Sequence, residues 1–369
     1  MVIVAVETRS YERAAIVLEK VGDVKVSGRH VGRVAKQVGE KLIAEQRTRA
    51  EAHQHGELSV EVANPPQLAV VEFDGGRIRT RQESCGPGTH EPAWRESKNA
   101  LFLRMNSQIH DTDPCEELPD FLQNRRRVRH LVQEMSGSST GDSEPDDTLP
   151  APESGAYYTP PQRLMRTCLS SLDESGAFGE MMAAESHRKG FYQATRAAFV
   201  GDGMKCNWTI WKKHFPKFVP IVDFIHVLSY LYRAAVAIGQ AEEFGWGLCL
   251  EWATACWQGR VDEVLLQLSE WLAQQPVAEE ELADDDPRQI VGRAITYLTN
   301  NRSRMDYPSY RRLGLPLTSA LMESCIKEIN YRVKGTEKFW NDPSGADAIL
   351  ALKAASLSDD SRLENCLQN

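Results

Sequence analysis

The sequence predicts an α/β fold in which a mixed sheet is accompanied by an all-helical insertion. Short Val-rich apolar runs at 68 to 73, 197 to 200 and 218 to 222 are typical of buried strands. Residues 1 to 55 and about 224 to 300 instead repeat apolar residues every three or four positions, as amphipathic helices do. A chain of 369 residues is long enough for one large core with an appended or inserted subdomain.

Residues 1 to 60 are predicted to form a short helical N-terminal region. The segment "RSYERAAIVLEKVG" places its apolar residues on one face and ends at Gly22. The segment "VSGRHVGRVAKQVGEKLIAEQ" then follows a turn at Ser27 and Gly28. Two helices joined by a short turn form either an αα-hairpin or a helix-turn-helix DNA reader, and the pattern leaves both open.

The strands are predicted to begin with a hairpin. The run "LAVVEF" meets Asp74-Gly75-Gly76 and resumes as the alternating "RIRTRQ", which indicates two strands joined by a glycine-containing turn. The segment "NALFLRMNS" (99 to 107) is the expected third strand, and residues 161 to 196 are predicted to be helical with a break near Gly176. A crossover helix, "NWTIWKKHFP", separates the last two strands. This order of elements is that of a ribonuclease H-like fold.

These elements predict a domain organisation. Residues 65 to 227 would form the first part of the ribonuclease H-like core, interrupted at 135 to 161 by a Ser/Gly/Pro/acid-rich mobile loop. Residues 228 to 310 would form the helical insertion, in which the tryptophans are core residues. Residues 311 to 369 would supply C-terminal helices that complete the catalytic core.

Charge and cysteine usage limit the function classes. The formal net charge of −9 disfavours a protein whose whole surface binds nucleic acid, but basic clusters at 123 to 130, 186 to 190 and 300 to 312 leave a local basic track. For any one of these clusters, a solvated helix face is the more common explanation. The eight cysteines include no CxxC pair, so buried thiols are expected. With no long apolar segment and no signal peptide, we expect a cytoplasmic protein without membrane contact.

Two aspartates follow predicted strands in a way that suggests a metal site. Asp74 at the end of the first strand and Asp202 after the fourth would lie on adjacent central strands. Mg²⁺ prefers oxygen ligands, and two ions about 4 Å apart can bind both the attacking and the leaving oxygen of a phosphoryl displacement. A third carboxylate from a late helix would complete the site, and Glu323 is the candidate.

Several ordered motifs together resemble the bacterial insertion-sequence DDE transposases of the ISKra type, within the Mutator-like superfamily. They are "VEFDGGRIRTR", "FVGDG", "PIVDFIHVLSYLYRAA", "YLTNNRSRMDYPSYRRLGLPLTSALMESCIKEINYRVKG", "FW" and "GADAILALKA". The resemblance runs from about residue 10 to residue 355. Two departures are visible: Ala320 replaces a usual Gly, and the pattern starts so near Met1 that the family's DNA-recognition region is expected to be short or absent.

The resemblance implies a function and a set of site residues. The family's catalytic, metal-binding triad falls on Asp74, Asp202 and Glu323, with two Mg²⁺ or Mn²⁺ ions, and its auxiliary motif falls on Asp223 and His226. It implies cleavage and strand transfer of double-stranded DNA at terminal inverted repeats and target, by a nucleoid-associated homodimer. His226 would either support the site through Asp223 or contact DNA directly. The candidate phosphate contacts are Arg302, Arg304, Arg311, Arg312, Arg332 and Lys334, each of which could equally be an ordinary surface cation.

Two other functions are compatible with the same residues. A truncated or inactive copy would bind DNA without cleaving it. A ribonuclease H-like nuclease of other specificity would use the same triad but would not require inverted repeats.

Overall fold

The structure, a computed structural model, describes residues 1–81, 93–135, 159–276, 282–334 and 339–368. It is a mixed α/β fold, which confirms the predicted class. The chain divides into two compact units. The first comprises Met1–Asn106, Gln162–Val219 and Ser319–Asn369, and the second comprises Ser107–Pro161 and Pro220–Thr318. Within the described ranges, no helix has the length and apolar character that crossing a membrane requires.

Five strands form one sheet in the order β3-β2-β1-β4-β5. Their bounds are β1 Leu68–Thr80, β2 Ala93–Asn106, β3 Gln162–Ser171, β4 Arg196–Gly201 and β5 Val219–Val222. β2 pairs antiparallel with β1 and β3, whereas β4 pairs parallel with β1. The boundary between the two units falls inside β5, after Val219.

The helices of the described residues, in chain order, have the following bounds: α1 Val2–Glu7, α2 Tyr11–Gly22, α3 Gly28–Gln54, α4 Arg125–Met135, α5 Ser175–Arg188, α6 Lys205–His214, α7 Phe224–Gly239, α8 Glu242–Trp257, α9 Val261–Ala273, α10 Pro287–Asn301, α11 Tyr307–Arg312, α12 Ala320–Val333, α13 Pro343–Ser356 and α14 Arg362–Gln368. The helical N-terminal region, the crossover helix (α6) and the helical run after Asp223 are therefore confirmed. Ser10 and Ser27 cap α2 and α3, each accepting a hydrogen bond from a backbone N–H of the first turn.

The predicted turn at Asp74-Gly75-Gly76 is wrong, because all three residues lie inside β1. They pair in register with Asn99, Lys98 and Ser97 of β2. Gly76 is needed there for close packing and not for a turn, since a Cβ at this position would lie 2.8 Å from the Ser97 hydroxyl. The two strands continue to residue 80 and from residue 93, and residues 82 to 92 between them lie outside the described part of the chain.

The predicted helix over 161 to 196 is also only partly right. Gln162–Ser171 is a strand that pairs with β2 from Asn106 to Lys98, and the helix, α5, begins at Ser175. The segment gives an ambiguous local pattern, and pairing with an existing strand decides its conformation. Of the predicted loop at 135 to 161, residues 136 to 158 lie outside the described ranges.

The two faces of the sheet in the first unit have different partners. Ala69, Val71 and Phe73 of β1 point into an apolar core with residues of α5, α6 and the end of α3. Because side chains alternate along a strand, the even-numbered residues of β1 lie on the opposite face. α12 packs against β1 and β2, and α13 packs against β3.

A buried ionic network secures the C-terminal end of the first unit. Glu185 of α5 accepts hydrogen bonds from Arg188 at 3.2 Å and from Arg362 at 2.6 Å, and Arg362 also pairs with Asp360. Burial by itself raises the pKa of Glu185, but the charges of Arg362, Arg188 and Lys189 outweigh it and lower the pKa to about 2. The network thus connects α5 to the segment that begins α14.

The second unit is organised around buried aromatic residues and one ion pair. Phe224 lies edge-on to Trp257 and Tyr307, with ring centroids 5.0 and 5.1 Å away. The prediction that the tryptophans of this unit are core residues is confirmed for Trp252 and Trp257, which are buried, but not for Trp246 and Trp271, which are half-buried. Arg311 is fully buried, pairs with Asp113 and donates to the Trp257 carbonyl oxygen at 3.0 Å.

Breaking the ion pair of the second unit should strongly destabilise it. Arg311→Ala leaves the Asp113 carboxylate without its guanidinium partner, and losing one member of a buried pair costs about 3–5 kcal/mol. Urea unfolding followed by tryptophan fluorescence measures this cost. The matched control is Arg302→Ala, which breaks an exposed pair with Asp262 and should cost no more than about 1 kcal/mol. Equal costs for the two variants would contradict the structural role of Arg311.

The Glu185 network should make the protein sensitive to acid. The unfolded glutamate takes up its proton near its ordinary pKa of 4.5, whereas the folded carboxylate stays charged until about pH 2. Its contribution is therefore fully present above the unfolded pKa and is lost as pH falls toward 2; its size is on the order of 3 kcal/mol. Urea unfolding at several pH values should give a shallower acid dependence for Glu185→Gln than for the wild type. Glu174→Gln, at an exposed position before the same helix, should leave the dependence unchanged.

Candidate active site

The parallel pairing of β1 with β4 brings two aspartates to the same edge of the sheet. The register runs from Leu68 opposite Arg196 to Phe73 opposite Gly201, and the next residues are Asp74 and Asp202. Paired strands lie about 4.8 Å apart, so the two aspartates leave this edge side by side. The sequence predicted this neighbourhood, although it placed Asp74 at the end of a strand that in fact continues.

Alternation along β1 places Asp74 on the face of the sheet opposite the apolar core. Phe73 belongs to that core, so the next side chain lies on the other face. α12 packs on this other face, because its Cys325 Sγ lies 3.8 Å from Cys168 Sγ of β3, whereas the neighbouring Leu169 belongs to the core. Asp74 is therefore on the side of the sheet that holds the Glu323 helix, and Asp202, directly after the last residue of β4, lies beside it.

Asn207 positions Asp202. This buried residue of α6 donates from Nδ2 to the Asp202 carboxylate at 2.7 Å, and the same nitrogen lies 3.5 Å from the Phe73 carbonyl oxygen. The Met204 N–H donates to the same carboxylate oxygen at 2.9 Å. Gly201 leaves room for this arrangement, since a Cβ there would lie 2.6 Å from Asn207 Nδ2. Sequence reasoning missed Asn207, because one more polar residue in the first turn of an amphipathic helix gives no distinctive signal.

Polar side chains surround Asp74 inside the sheet. Its carboxylate accepts a hydrogen bond from the Gly75 N–H at 2.6 Å. Its cross-strand neighbour Asn99 is buried and accepts from the Ser170 hydroxyl at 2.7 Å. Glu72, two residues before Asp74 and 1% exposed, is a further carboxylate on the same face. Neither Glu72 nor Asn99 was singled out from the sequence, because both lie within runs that look like ordinary strand.

Glu323 lies in the first turn of α12, as predicted, and is half-buried. Two residues later, Cys325 Sγ lies 3.8 Å from Cys168 Sγ on β3, which fixes this part of the helix over the sheet. Among the described residues, Asp74, Asp202 and Glu323 do not form a group whose ligand atoms all lie within 4.8 Å of one another. Ligands on opposite sides of two ions can be as much as about 8 Å apart, so this spacing is compatible with a two-ion site.

Asp223 and His226 belong to the second unit. Asp223 is fully buried and caps α7, accepting a hydrogen bond from the Ile225 N–H at 2.6 Å. One of its carboxylate oxygens and a ring nitrogen of His226 lie within 4.8 Å of each other. Helix capping therefore accounts for an acidic residue at this position, and the role of the pair in a reaction stays a prediction.

The six cations predicted to contact DNA have different environments. Arg302, Arg312 and Lys334 are exposed, and Arg304 is half-buried, donating to the Asn300 carbonyl oxygen at 2.9 Å. Arg311 is buried in the ion pair described above. Arg332 is also buried, and its Nε donates to the Ala5 carbonyl oxygen at 2.7 Å. Because protein partners occupy both buried arginines, we do not assign them to an open DNA-contacting surface.

No protein-family model matches this chain, and no curated protein is significantly similar to it. The functional interpretation therefore depends on the residues themselves and on the geometry of the site.

The chemistry of this edge suits a hard divalent cation. Carboxylate oxygens are the ligands that Mg²⁺ and Mn²⁺ prefer, and Asp74 and Asp202 present them on adjacent strands. The hydrogen bonds of Asn207 and Gly75 fix one oxygen of each carboxylate and orient the group. Glu323 would be the additional ligand from α12.

Removing the Asp202 carboxylate should weaken Mn²⁺ binding. Mn²⁺ titration followed by the electron paramagnetic resonance signal of the free ion would show saturable binding to the wild type. Asp202→Asn should weaken binding by more than about 10-fold, because it removes a charged ligand. Asn207→Ala should weaken binding by about 10-fold, because the Asp202 carboxylate remains but loses the hydrogen bond that orients it. Thr209→Ala, at an exposed position of the same helix, is the control. Wild-type Mn²⁺ affinity in Asp202→Asn would rule out Asp202 as a ligand.

Proposed function

We propose that this protein is a DNA transposase with a ribonuclease H-like catalytic core. The single observation that favours this function most is the pair Asp74 and Asp202, which the pairing of β1 with β4 places side by side, with Asp74 on the face of the sheet where the Glu323 helix packs. A phosphoryl-transfer centre needs carboxylates in such an arrangement.

The topology supports the proposal. A sheet ordered β3-β2-β1-β4-β5, with three antiparallel strands followed by a strand parallel to β1, agrees with the strand order of ribonuclease H-like folds. In this arrangement β1 and β4 are neighbours although 115 residues, 81 to 195, separate them in the chain. Asp74 and Asp202 are therefore close together because of the order of the strands in the sheet and not because of their positions in the chain.

The chain's own residues would have distinct tasks. Asp74, Asp202 and Glu323 would hold two Mg²⁺ or Mn²⁺ ions. When bound, these ions would stabilise the charge that develops on the phosphoryl oxygens. Asn207 would keep the Asp202 carboxylate in a fixed orientation, and Asp223 with His226 would act as an auxiliary pair. With charge stabilisation supplied in this way, none of the side chains needs to act as a dedicated general base.

The proposed partners follow from the reaction. The substrate would be double-stranded DNA at the terminal inverted repeats of the element and at its target. Arg302, Arg304, Arg312 and Lys334 are the remaining candidates for phosphate contacts. Two ends must be brought together, so a homodimer associated with the nucleoid would be the active form.

A ribonuclease H-like nuclease of other specificity is the second candidate. The same acidic edge supports it, because the three carboxylates determine phosphodiester chemistry and not the choice of DNA ends. The two functions differ in whether inverted repeats are required.

A cleavage assay should separate these possibilities. The substrates are a duplex that contains the genomic flank of the gene, with its inverted repeat, and a duplex of equal length with the repeat scrambled. We expect nicking at the repeat end that requires Mg²⁺ or Mn²⁺. Asp74→Asn, Asp202→Asn and Glu323→Gln should each lower its rate by about 100-fold or more, because each removes charge stabilisation of the transition state. Denaturing gel electrophoresis of end-labelled strands measures the rate of nicking.

The control is Glu328→Gln, which changes an exposed glutamate of the same helix and should leave the rate unchanged. Equal cleavage of both duplexes would favour the nuclease. Binding of DNA without metal-dependent cleavage would indicate the inactive remnant. Undiminished cleavage by a triad variant would remove that residue from the site.

A further inference from the structure

A cavity of about 1040 Å³ lies within the first unit, away from the acidic edge. It is bordered by the first turns of α2 and α3, the C-terminal end of α12, residues 339 to 342 and the start of α13. The proposed reaction does not use it, although Arg332 and the motif "FW" (Phe339 and Trp340) of its lining were singled out from the sequence.

The lining of the cavity is strongly cationic. Five permanent cations face it against two carboxylates, a formal charge of 5 − 2 = +3 with histidine neutral; the cations are Arg9, Arg29, Arg33, Lys36 and Arg332, and the carboxylates are Glu12 and Asp342. This excess is local, since the whole chain has a net charge of −9. A positive concave surface on an acidic protein attracts an anionic ligand.

Not all of these cations are equally available. Lys36 is paired with Asp342 at 2.6 Å, which largely neutralises both. Arg9, Arg29 and Arg33 are exposed at the cavity. The first residues of α2 and α3 border the same space, and helix N-termini add partial positive charge to it.

Arg332 adds fixed positive charge behind the aromatic rings and is not itself an open contact surface. It is 1% exposed, and its guanidinium carbon lies 4.7 Å from the ring centroid of Tyr11 and 5.6 Å from that of Trp340. Its Nε donates to the Ala5 carbonyl oxygen, which holds the guanidinium in place. The aromatic neighbours, together with the exposed ring of Phe339, give the cavity apolar surface beside its charge.

The basic surface continues beyond the cavity. Trp340 bridges to β1 beside Thr80, and its backbone exchanges hydrogen bonds with Arg79 and Arg81 at 3.0 and 2.9 Å. Arg77, Arg79 and Arg81 are alternate residues of the same strand region and lie on one side of it. A basic surface that extends from the cavity to these arginines suits the successive phosphates of a nucleic-acid strand better than a single small anion.

From these features we infer that the cavity binds a single-stranded segment of nucleic acid, with phosphates on Arg9, Arg29 and Arg33 and a base against the aromatic surface near Phe339. Cationic grooves with aromatic platforms are the usual means of binding single strands. The identity of the strand as DNA rests on the proposed function, whereas the phosphate and base recognition rests on the cavity alone.

Binding can be tested with the full chain without metal. A fluorescein-labelled thymidine oligonucleotide is titrated by fluorescence anisotropy in EDTA at several KCl concentrations. The double variant Arg29→Ala/Arg33→Ala should lower affinity by about 10-fold or more at 0.1 M salt. It should also reduce the slope of log affinity against log salt by about 1.4, because two phosphate contacts are lost. The control is Lys20→Ala/Lys41→Ala, which removes two exposed cations of α2 and α3 that lie outside the cavity. It should leave the affinity and the salt slope unchanged.

A third variant tests the base contact. Phe339→Ala should lower affinity by about 10-fold without changing the salt slope, because stacking involves no counterion release. Equal effects of the two double variants would overturn the inference. Tighter binding of the matching duplex would overturn the single-strand assignment, and displacement of the oligonucleotide by micromolar pyrophosphate would point to a small anionic ligand.

These results are separable from the test of the proposed function. Asp74→Asn should bind the oligonucleotide as the wild type does, since the acidic edge does not line the cavity. Normal binding with no cleavage by the wild type would contradict the transposase alone. Metal-dependent cleavage with unchanged binding in Arg29→Ala/Arg33→Ala would contradict the cavity inference alone.

Discussion

The parallel pairing between β1 and β4 is the contact on which the candidate site depends. It brings together two segments that are far apart in the chain and ends at Phe73 and Gly201, so that Asp74 and Asp202 follow at the same edge. A slip of one residue in β1 would move Asp74 to the apolar face, where its carboxylate would be buried beside Phe199 and Phe178. The core therefore fixes the register, and the register fixes the acidic pair.

A polar residue near this edge holds one of the two aspartates in a fixed orientation. Asn207 reaches Asp202 and lies beside the Phe73 carbonyl oxygen, so one amide connects the residue after β4 with β1 just before Asp74. The same amide occupies the space that a side chain at Gly201 would need. Such support matters for metal binding, because orienting a carboxylate before the ion arrives reduces the loss of conformational freedom on binding.

Positive charge in the first unit serves two different purposes. Around Glu185 it is buried and balanced, and it holds the start of α14 to α5. Around the cavity most of it is exposed and only partly balanced, because Arg9, Arg29 and Arg33 project from helix beginnings and connecting residues. Balanced buried charge stabilises a fold, whereas unbalanced surface charge is available to a ligand. Arg332 combines the two, since it is buried by aromatic rings and still borders the cavity.

The sequence by itself determined most local structure and the candidates for chemistry. Periodicity identified α2, α3, α6 and α7, and short apolar runs identified β4 and β5 together with the aspartates that follow them. It could not decide conformations that depend on distant partners. Asp74-Gly75-Gly76 looks like a turn until β2 pairs along it, and residues 162 to 171 look helical until they join the same strand. Asn207 and the cavity likewise appear only when separate helices and strands meet, because contacts between residues distant in the chain leave no periodic signal in the sequence.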